Sequence, residues 1–280
     1  MLVGLISASR PAIFEPVAAG AEEADTKTAE YRGGKNFIPT PVYRLEDDRK
    51  LLALFEGLRV ADVADGMDRA GLQNIGLMSA EIRPLWRDCQ HFTHRFIGVA
   101  VTARYVPTNK PPSGRRTTEE FDQWVGQWYA KLSPEPFVSL IREGTALVID
   151  DAESADVGSI GSNNIMGWKL RGCLGVVTGA TARDTDEIAA QRVPLYFKRP
   201  GRGIRPGRNE IESVNRPIVV GGVLVMPGDV IVADGDGVVV VPRRHAEEVA
   251  QYARATLDGD KAGRRRLYEK LGLPPDDSVK

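Results

Sequence analysis

The chain has 280 residues, of which 42% are hydrophobic and 27% charged, an ordinary globular mix that excludes collagen-like, mucin-like and wholly disordered chains. Lys+Arg number 37 against 38 Asp+Glu, so the net charge is -1 and there is no whole-chain basic excess of the kind that nucleic-acid binders use to neutralise phosphates. Cys89 and Cys173 are too few for a disulfide framework and point to a reducing, cytoplasmic setting, and no apolar run approaches the ~20 residues that span a bilayer. Neither nucleic acid nor a membrane is therefore expected as a partner.

Residues 1–45 mix short apolar pieces with Gly33, Gly34, Pro39 and Pro41, and read as an extension with little regular structure. Met1 to Ser9 is apolar, but Arg10 ends the run and no positive region precedes it, so an ordered arm or frayed tail is expected rather than a cleaved signal peptide. Over 46–60, Leu51, Leu52, Leu54, Phe55 and Leu58 fall on one helical face. VADVADGMDRAG then predicts a second short helix ending at Gly71. FIGVAVTARYV, from Phe96, alternates and is rich in β-branched residues, which predicts a strand; TALVID (145–150) and LGVVTG (174–179) read as buried strands, the latter entered from a helix over roughly 162–172. The segment 217–242 reads as three short strands joined by Gly-Gly, Pro-Gly-Asp and Asp-Gly turns, and 243–257 and 260–271 as closing helices. Hairpin turns beside crossovers imply an α/β fold with a mixed sheet or barrel, not a doubly wound sheet.

Residues 113–137 look inserted. Thr117 to Glu120 has the pattern of a capping box, and Phe121, Trp124, Val125, Trp128 and Tyr129 form one stripe behind it. Such a helix packs on its own protomer, or forms a subunit contact or a lid over a site.

Several motifs carry less chemistry than they first suggest. Asp234-Gly-Asp236-Gly opens like a calcium loop, but Val238 and His245 stand where the loop needs an oxygen ligand and a Glu, so a tight turn is expected. His91 and His94 near Cys89 lack a second pair at zinc spacing, since His245 is the only other histidine. Lys198, Arg199, Arg202, Arg205 and Arg208 form a basic Gly/Pro-rich loop, either solvated or able to hold a polycarboxylate. Val157 to Glu187 is richer. Gly161-Ser162-Asn163-Asn164 opens a helix whose first-turn N–H groups suit an anion. After a buried strand come Arg183, whose planar fork can grip a carboxylate, and Asp184, which can ligate a hard divalent cation; a structural ion pair or a helix cap would use the same residues.

These pieces, with GTALVIDD and RPIVVGGVLVMPGDVIVADGDGVVVVP following in order, resemble the family of RraA-like proteins and class II 4-hydroxy-4-methyl-2-oxoglutarate/4-carboxy-4-hydroxy-2-oxoadipate aldolases, over about residues 58–257 without the insertion. Many members carry the label demethylmenaquinone methyltransferase, which this chain does not support, as it has no adenosylmethionine-binding glycine loop. The resemblance implies a β/β/α barrel-like fold of the swivelling-domain type. It divides the chain into an extension (1–45), an RraA-like domain (46–257, with the insertion at 113–137) and a helical tail (258–280), assembled as a homotrimer or a dimer of trimers. It also implies a metal-dependent carbon–carbon lyase on an α-keto acid, an aldolase or an oxaloacetate decarboxylase, passing through a pyruvate enolate, with a sugar-acid hydratase or dehydratase as a neighbouring chemistry. Asp184 would then ligate Mg2+ or Mn2+, Arg183 would bind the pyruvyl part, and the segment Gly161, Ser162, Asn163 and Asn164 would hold its carboxylate through backbone amides.

Two departures stand out. The aldolases have an Asp directly after the helix-start glycine, where this chain has Ser162, and they use a Glu from the neighbouring subunit near the C-terminus, where this chain has only Asp258 and Asp260. Asp260 is the expected catalytic carboxylate, and slower proton transfer with more decarboxylation than aldol cleavage is the expected result. The alternative expectation is a non-enzymatic regulator that binds a protein partner such as a ribonuclease.

Overall fold

The computed structural model describes residues 26–110, 114–151 and 156–279. The expectation of an arm or tail at Met1–Ser9 lies outside the described residues. Two units are separable, 1–39 and 40–280. In the first, helix α1 spans 26–32, Lys35 pairs with Glu30 at 2.7 Å, and the rings of Tyr31 and Phe37 stack at 5.9 Å. The extension therefore holds more regular structure than its Gly/Pro content suggests.

In the second unit the elements run α2 (Leu45–Phe55), α3 (Val60–Arg69), β1 (Arg83–Pro84), β2 (Phe96–Pro107), α4 (Thr118–Lys131), β3 (Thr145–Asp150), α5 (Ser162–Leu170), β4 (Cys173–Thr178), β5 (Thr181–Ala182), α6 (Thr185–Ala190), β6 (Leu195–Phe197), β7 (Arg199–Pro200), β8 (Asn209–Val214), β9 (Ile218–Val220), β10 (Val223–Val225), β11 (Val230–Asp234), β12 (Gly237–Val241) and α7 (Ala246–Leu271). The main sheet has the order β1-β6-β4-β3-β2-β11-β12, with β8 also paired to β2. β2, β3, β4 and β6 run parallel, and β1, β8, β11 and β12 are antiparallel to their neighbours. β1 comes back towards β12, so the mixed sheet nearly closes into a barrel.

Period-two alternation explains why the central strands read as unbroken apolar runs. On β11, Val230 and Val232 face α2, α3 and α7, while Ile231 and Ala233 face the barrel interior; β12 does the same with Val239 and Val241 against Val238 and Val240. On β3, Ala146 and Val148 point inward, while Leu147 and Ile149 pack beneath α5 and α6. Each strand is thus buried on both faces.

Three details depart from the sequence reading. α2 ends at Phe55, short of the expected 60, and its stripe is narrower, with Leu51 and Phe55 buried and Leu54 exposed, while Leu58 is buried in the loop beyond it. The segment 217–242 makes four strands, because positive φ at Gly221 and Gly222 closes β9 and β10 into a separate hairpin. The two closing helices are one, α7. Its interior Gly259 and Gly263 cost about 1 kcal/mol each against Ala, but Val249, Ala253 and Leu257 anchor one half, and Arg264 and Arg265 tie the other to the carbonyls of Ser278 and Val279. The Asp234–Gly237 segment is a tight turn, with Asp234 Oδ1 accepting from the Asp236 N–H and Oδ2 from the Val60 N–H. His94 Nδ1 accepts from the Asp88 N–H, and His91 lies 3.7 Å from Asp277.

Candidate active site

A cavity of about 350 Å³ opens between the segment that carries β5 and the inserted segment. Its inner wall comes from the Gly158–Asp184 stretch. The Ile160 carbonyl accepts from the Arg183 N–H at 2.9 Å, and an isolated bridge joins Ile160 to Ala182, so the loop before α5 lies alongside β5. Asp184 then turns the chain with φ 55 and ψ 40, a left-handed conformation that Asp tolerates better than most residues. This turn aims two successive side chains at the same place.

Both side chains lie over glycines. A Cβ at Gly158 would come within 2.5 Å of Arg183 Cβ, and one at Gly161 within 2.9 Å of Asp184 Oδ2. Asp184 Oδ2 accepts from the Ser162 N–H at 3.0 Å and the Ser162 hydroxyl at 3.3 Å, while Oδ1 lies 3.7 Å from Arg183 Nε. Both side chains are about one-third exposed. The Ser162 amide is therefore spent on Asp184, and the first-turn amides of Asn163 and Asn164 are those that have no acceptor inside α5. Asn164, Gly161 and Arg183 all line the cavity.

The outer wall is one the sequence reading left open. α4 begins at the Thr117–Glu120 capping box, with both reciprocal bonds formed, and its far end delivers Tyr129, Ser133, Pro134 and Glu135 to the cavity. Of the aromatic stripe, Trp128 is buried and Phe121 exposed, so the helix packs on its own chain along one edge and walls the site with its end. Trp128 Nε1 donates to the Asn209 carbonyl at 3.0 Å. The Asn209 side chain donates to Asp151 at 2.8 Å and Ser159 at 2.9 Å, and accepts from the Ser133 hydroxyl at 3.0 Å.

At the centre of this wall Glu135 accepts from Arg205 Nη2, from Asn164 Nδ2 at 2.6 Å and from Trp168 Nε1 at 3.1 Å. Arg205 comes from the basic loop and is 5% exposed, not solvated. Its Nη1 donates to the Tyr105 hydroxyl at 2.8 Å and the Ser133 carbonyl at 3.2 Å, and its guanidinium lies 5.4 and 5.2 Å from the rings of Tyr105 and Tyr129. Burial pushes the Tyr105 phenol well above its usual range, so it stays neutral and donates to the Pro134 carbonyl. The loop's other cations differ. Arg202 pairs with Asp156 and Lys198 with Glu81 at the surface.

Asp260 lies elsewhere in its own chain. It is on α7, where its carboxylate accepts from Arg59 at 2.9 Å and Arg264 at 3.5 Å, which holds it below the usual carboxylate range. Asp258 is an exposed residue of the same helix. The structure thus brings Gly161, Ser162, Asn164, Arg183 and Asp184 together, and Asn163 stands in the same helical turn. Glu135 and Ser159 are additions that sequence reasoning missed, Glu135 at the end of the insertion and Ser159 within the Val157–Glu187 stretch, while Tyr129 was read as part of the insertion's aromatic stripe.

Among the described residues no three His, Cys, Asp or Glu side chains come together as a metal cluster. Asp184 is a hard oxygen donor, with Oδ2 held by Ser162 and Oδ1 3.7 Å from Arg183 Nε, of the kind that Mg2+ or Mn2+ takes while retaining most of its waters. No helix among the described residues is long and apolar enough to cross a membrane.

Comparison with known proteins matches residues 60–240 to the RraA-like family, described as Aldolase/RraA. A Halalkalibacterium halodurans protein named putative 4-hydroxy-4-methyl-2-oxoglutarate aldolase is 31% identical over 127 residues, covering 45% of this chain and 60% of that one. Protein DlpA of Legionella pneumophila is 26% identical over 228 residues, covering 77% of this chain and 32% of its own length. The chain thus spans less than two thirds of either relative. RraAS2 of Streptomyces coelicolor, described as an unusual member of the RNase ES inhibitor RraA protein family, has the same fold, with a TM-score of 0.62 at 22% identity over 80% of this chain and 99% of that one.

Proposed function

The chain belongs to the RraA-like family, and from that premise we propose that it is a divalent-metal-dependent carbon–carbon lyase acting on an α-keto acid. One observation carries the reading. Arg183 and Asp184 pass over two glycines, Asp184 in a left-handed turn that meets the start of α5 and Arg183 on the wall of the cavity beside it. A structural ion pair needs neither the glycines nor the cavity. The aldolase name of the Halalkalibacterium relative agrees with it.

Arg183 holds the carboxylate end of the substrate with its planar fork, and the amides of Asn163 and Asn164 complete that cradle. A cation held by Asp184 supplies Lewis-acid polarisation of the keto oxygen. Ser162 keeps Asp184 in one orientation with two hydrogen bonds. As the carbon–carbon bond breaks, charge moves onto the pyruvate enolate oxygen, and the Arg183 cation stabilises it there. Aldol cleavage and oxaloacetate decarboxylation share this enolate. Ser162 does not titrate near neutral pH, so it positions a water but does not take its proton. Asp260 does not line this chain's cavity, so it serves as the acid–base group only from a neighbouring copy in a homotrimer or a dimer of trimers, and there only by leaving Arg59 and Arg264.

The test is turnover of oxaloacetate and of 4-hydroxy-4-methyl-2-oxoglutarate with Mg2+ or Mn2+, and with chelator. Metal-dependent release of pyruvate above the metal-only blank is expected. The absence of Asp at position 162 favours a second reading, a non-enzymatic regulator of a protein partner such as a ribonuclease. No turnover of either compound, together with no binding of pyruvate in the presence of Mn2+, decides for it.

A further inference from the structure

Resting on the lyase reading, we infer that the outer wall of the cavity selects α-keto acids whose far end carries a hydroxyl group over those that end in a second carboxylate. An arginine at the far end of an anion site suggests a carboxylate receptor, but Arg205 is already committed. Nη2 donates to Glu135, Nη1 donates to Tyr105 and to the Ser133 carbonyl, and two tyrosine rings lie against the guanidinium. The pair of terminal nitrogens that would grip a carboxylate bidentately is therefore engaged.

Glu135 is the more open partner, its side chain 18% exposed against 6% for Arg205. A substrate group that reaches this wall meets an acceptor, not a donor. Glu135 receives bonds from Arg205, Asn164 and Trp168, three of the about four that a carboxylate can take. One more donor fits, and a substrate hydroxyl supplies it. A substrate carboxylate has no proton to give and would set like charge against like in a half-buried wall. Ser159 adds the complementary half. Its Oγ accepts from Asn209 Nδ2 and the residue lines the cavity, so its own proton is available to a further acceptor, and a substrate hydroxyl can be that acceptor.

The test is calorimetric titration of the full chain with Mn2+ present, using pyruvate, 5-hydroxy-2-oxopentanoate and 2-oxoglutarate. The last two share a five-carbon chain and differ at the far end. The hydroxyl compound is expected to bind at least tenfold more tightly than 2-oxoglutarate. Glu135→Gln should narrow that gap at least fivefold, and Ser159→Ala should weaken the hydroxyl compound. Equal or tighter binding of 2-oxoglutarate by the unmutated chain overturns the inference and leaves the lyase reading standing. Failure to bind even pyruvate removes the lyase reading and the inference with it. The ratio in the unmutated chain decides the matter even if either variant fails to fold.

Discussion

The two walls of the cavity are built by opposite means. The inner wall is local. Arg183 and Asp184 are adjacent in sequence, and their conformation is set by backbone: a left-handed turn, two glycines and the Ser162 amide. The outer wall is remote. Glu135 and Arg205 lie 70 residues apart, on segments that meet only because the insertion folds over the body. A wall set by backbone is held by what cannot be there, a Cβ. A wall set by paired charges is held by what must be there, the partner. The two should fail differently when altered.

The largest effect is expected at the outer wall. Arg205 is buried and Glu135 part-buried, and removing one member of such a pair leaves the other charge under-compensated, at a cost of up to about 3–5 kcal/mol. Arg205→Met should lower unfolding free energy by roughly that amount in urea titrations, and Glu135→Gln should also destabilise. The double variant should lie closer to the unmutated protein than the sum of the two. Strict additivity would mean that the pair holds nothing together.

The barrel beneath both walls supplies a control that involves neither. Asp229 is buried between β10 and β11, and burial pushes its carboxyl up to about 6 despite N–H donation from Met226 and Arg243. Its folded value thus lies above its unfolded one. The native state binds the extra proton between about pH 4 and 6, so this residue's contribution to stability is present below pH 4 and is lost as pH rises through 6. Asp229→Asn should remove that trend. Relative to the variant, the unmutated chain should lose about 3 kcal/mol between pH 4 and 7, measured by urea unfolding at four pH values. Surface carboxylates held low by partners, such as Asp156 beside Arg202, have the opposite sign and are common to both proteins.

At the inner wall the loss should fall on activity and leave stability alone. Lys cannot reproduce the fork of Arg183, so Arg183→Lys should cut kcat/KM about tenfold or more, the equivalent of about 1.5–3 kcal/mol for one charge-assisted contact. Asp184→Asn should weaken Mn2+ binding with the fold intact. Gly158→Ala should resemble Arg183→Lys without touching the guanidinium, because its Cβ would strike the Arg183 stem. A near-wild-type rate in Gly158→Ala would show that the local backbone does not aim the side chain.

The same contrast explains what could be read from sequence. The mixed α/β barrel was legible because it rests on period-two alternation and turn residues, both local signals, as on β11 and β12. Arg183, Asp184 and the start of α5 were legible for the same reason, with glycines marking where backbone and side chain approach. Arg205 stood out only as one of five cations in a loop. Nothing near it predicts Glu135 or two tyrosines as partners. Leu54 on α2 fits the helical period and yet is exposed, since only the neighbouring elements decide how wide a stripe is covered. The two closing helices expected over 243–257 and 260–271 are one, because packing at Leu257 and remote bonds from Arg264 and Arg265 hold α7 together across the expected break.

The smallest expected effect separates the insertion's own stability from its service to the site. Thr117 accepts from the Glu120 N–H at 3.3 Å while Glu120 accepts from the Thr117 N–H at 2.9 Å, the reciprocal pair of a capping box. Thr117→Ala removes one of these and leaves a first-turn donor to water, at about 1 kcal/mol. The loss falls at the exposed end of α4. The other end is fixed independently, by Trp128 on the Asn209 carbonyl and by Ser133 on the Asn209 side chain. Thr117→Ala should therefore lower the urea midpoint slightly, fray only the first turn in amide exchange, and leave kcat/KM within about twofold. A rate loss as large as that of Arg183→Lys would mean that α4 moves as one piece, and that the outer wall is tuned from its far end and not by the Glu135–Arg205 pair alone.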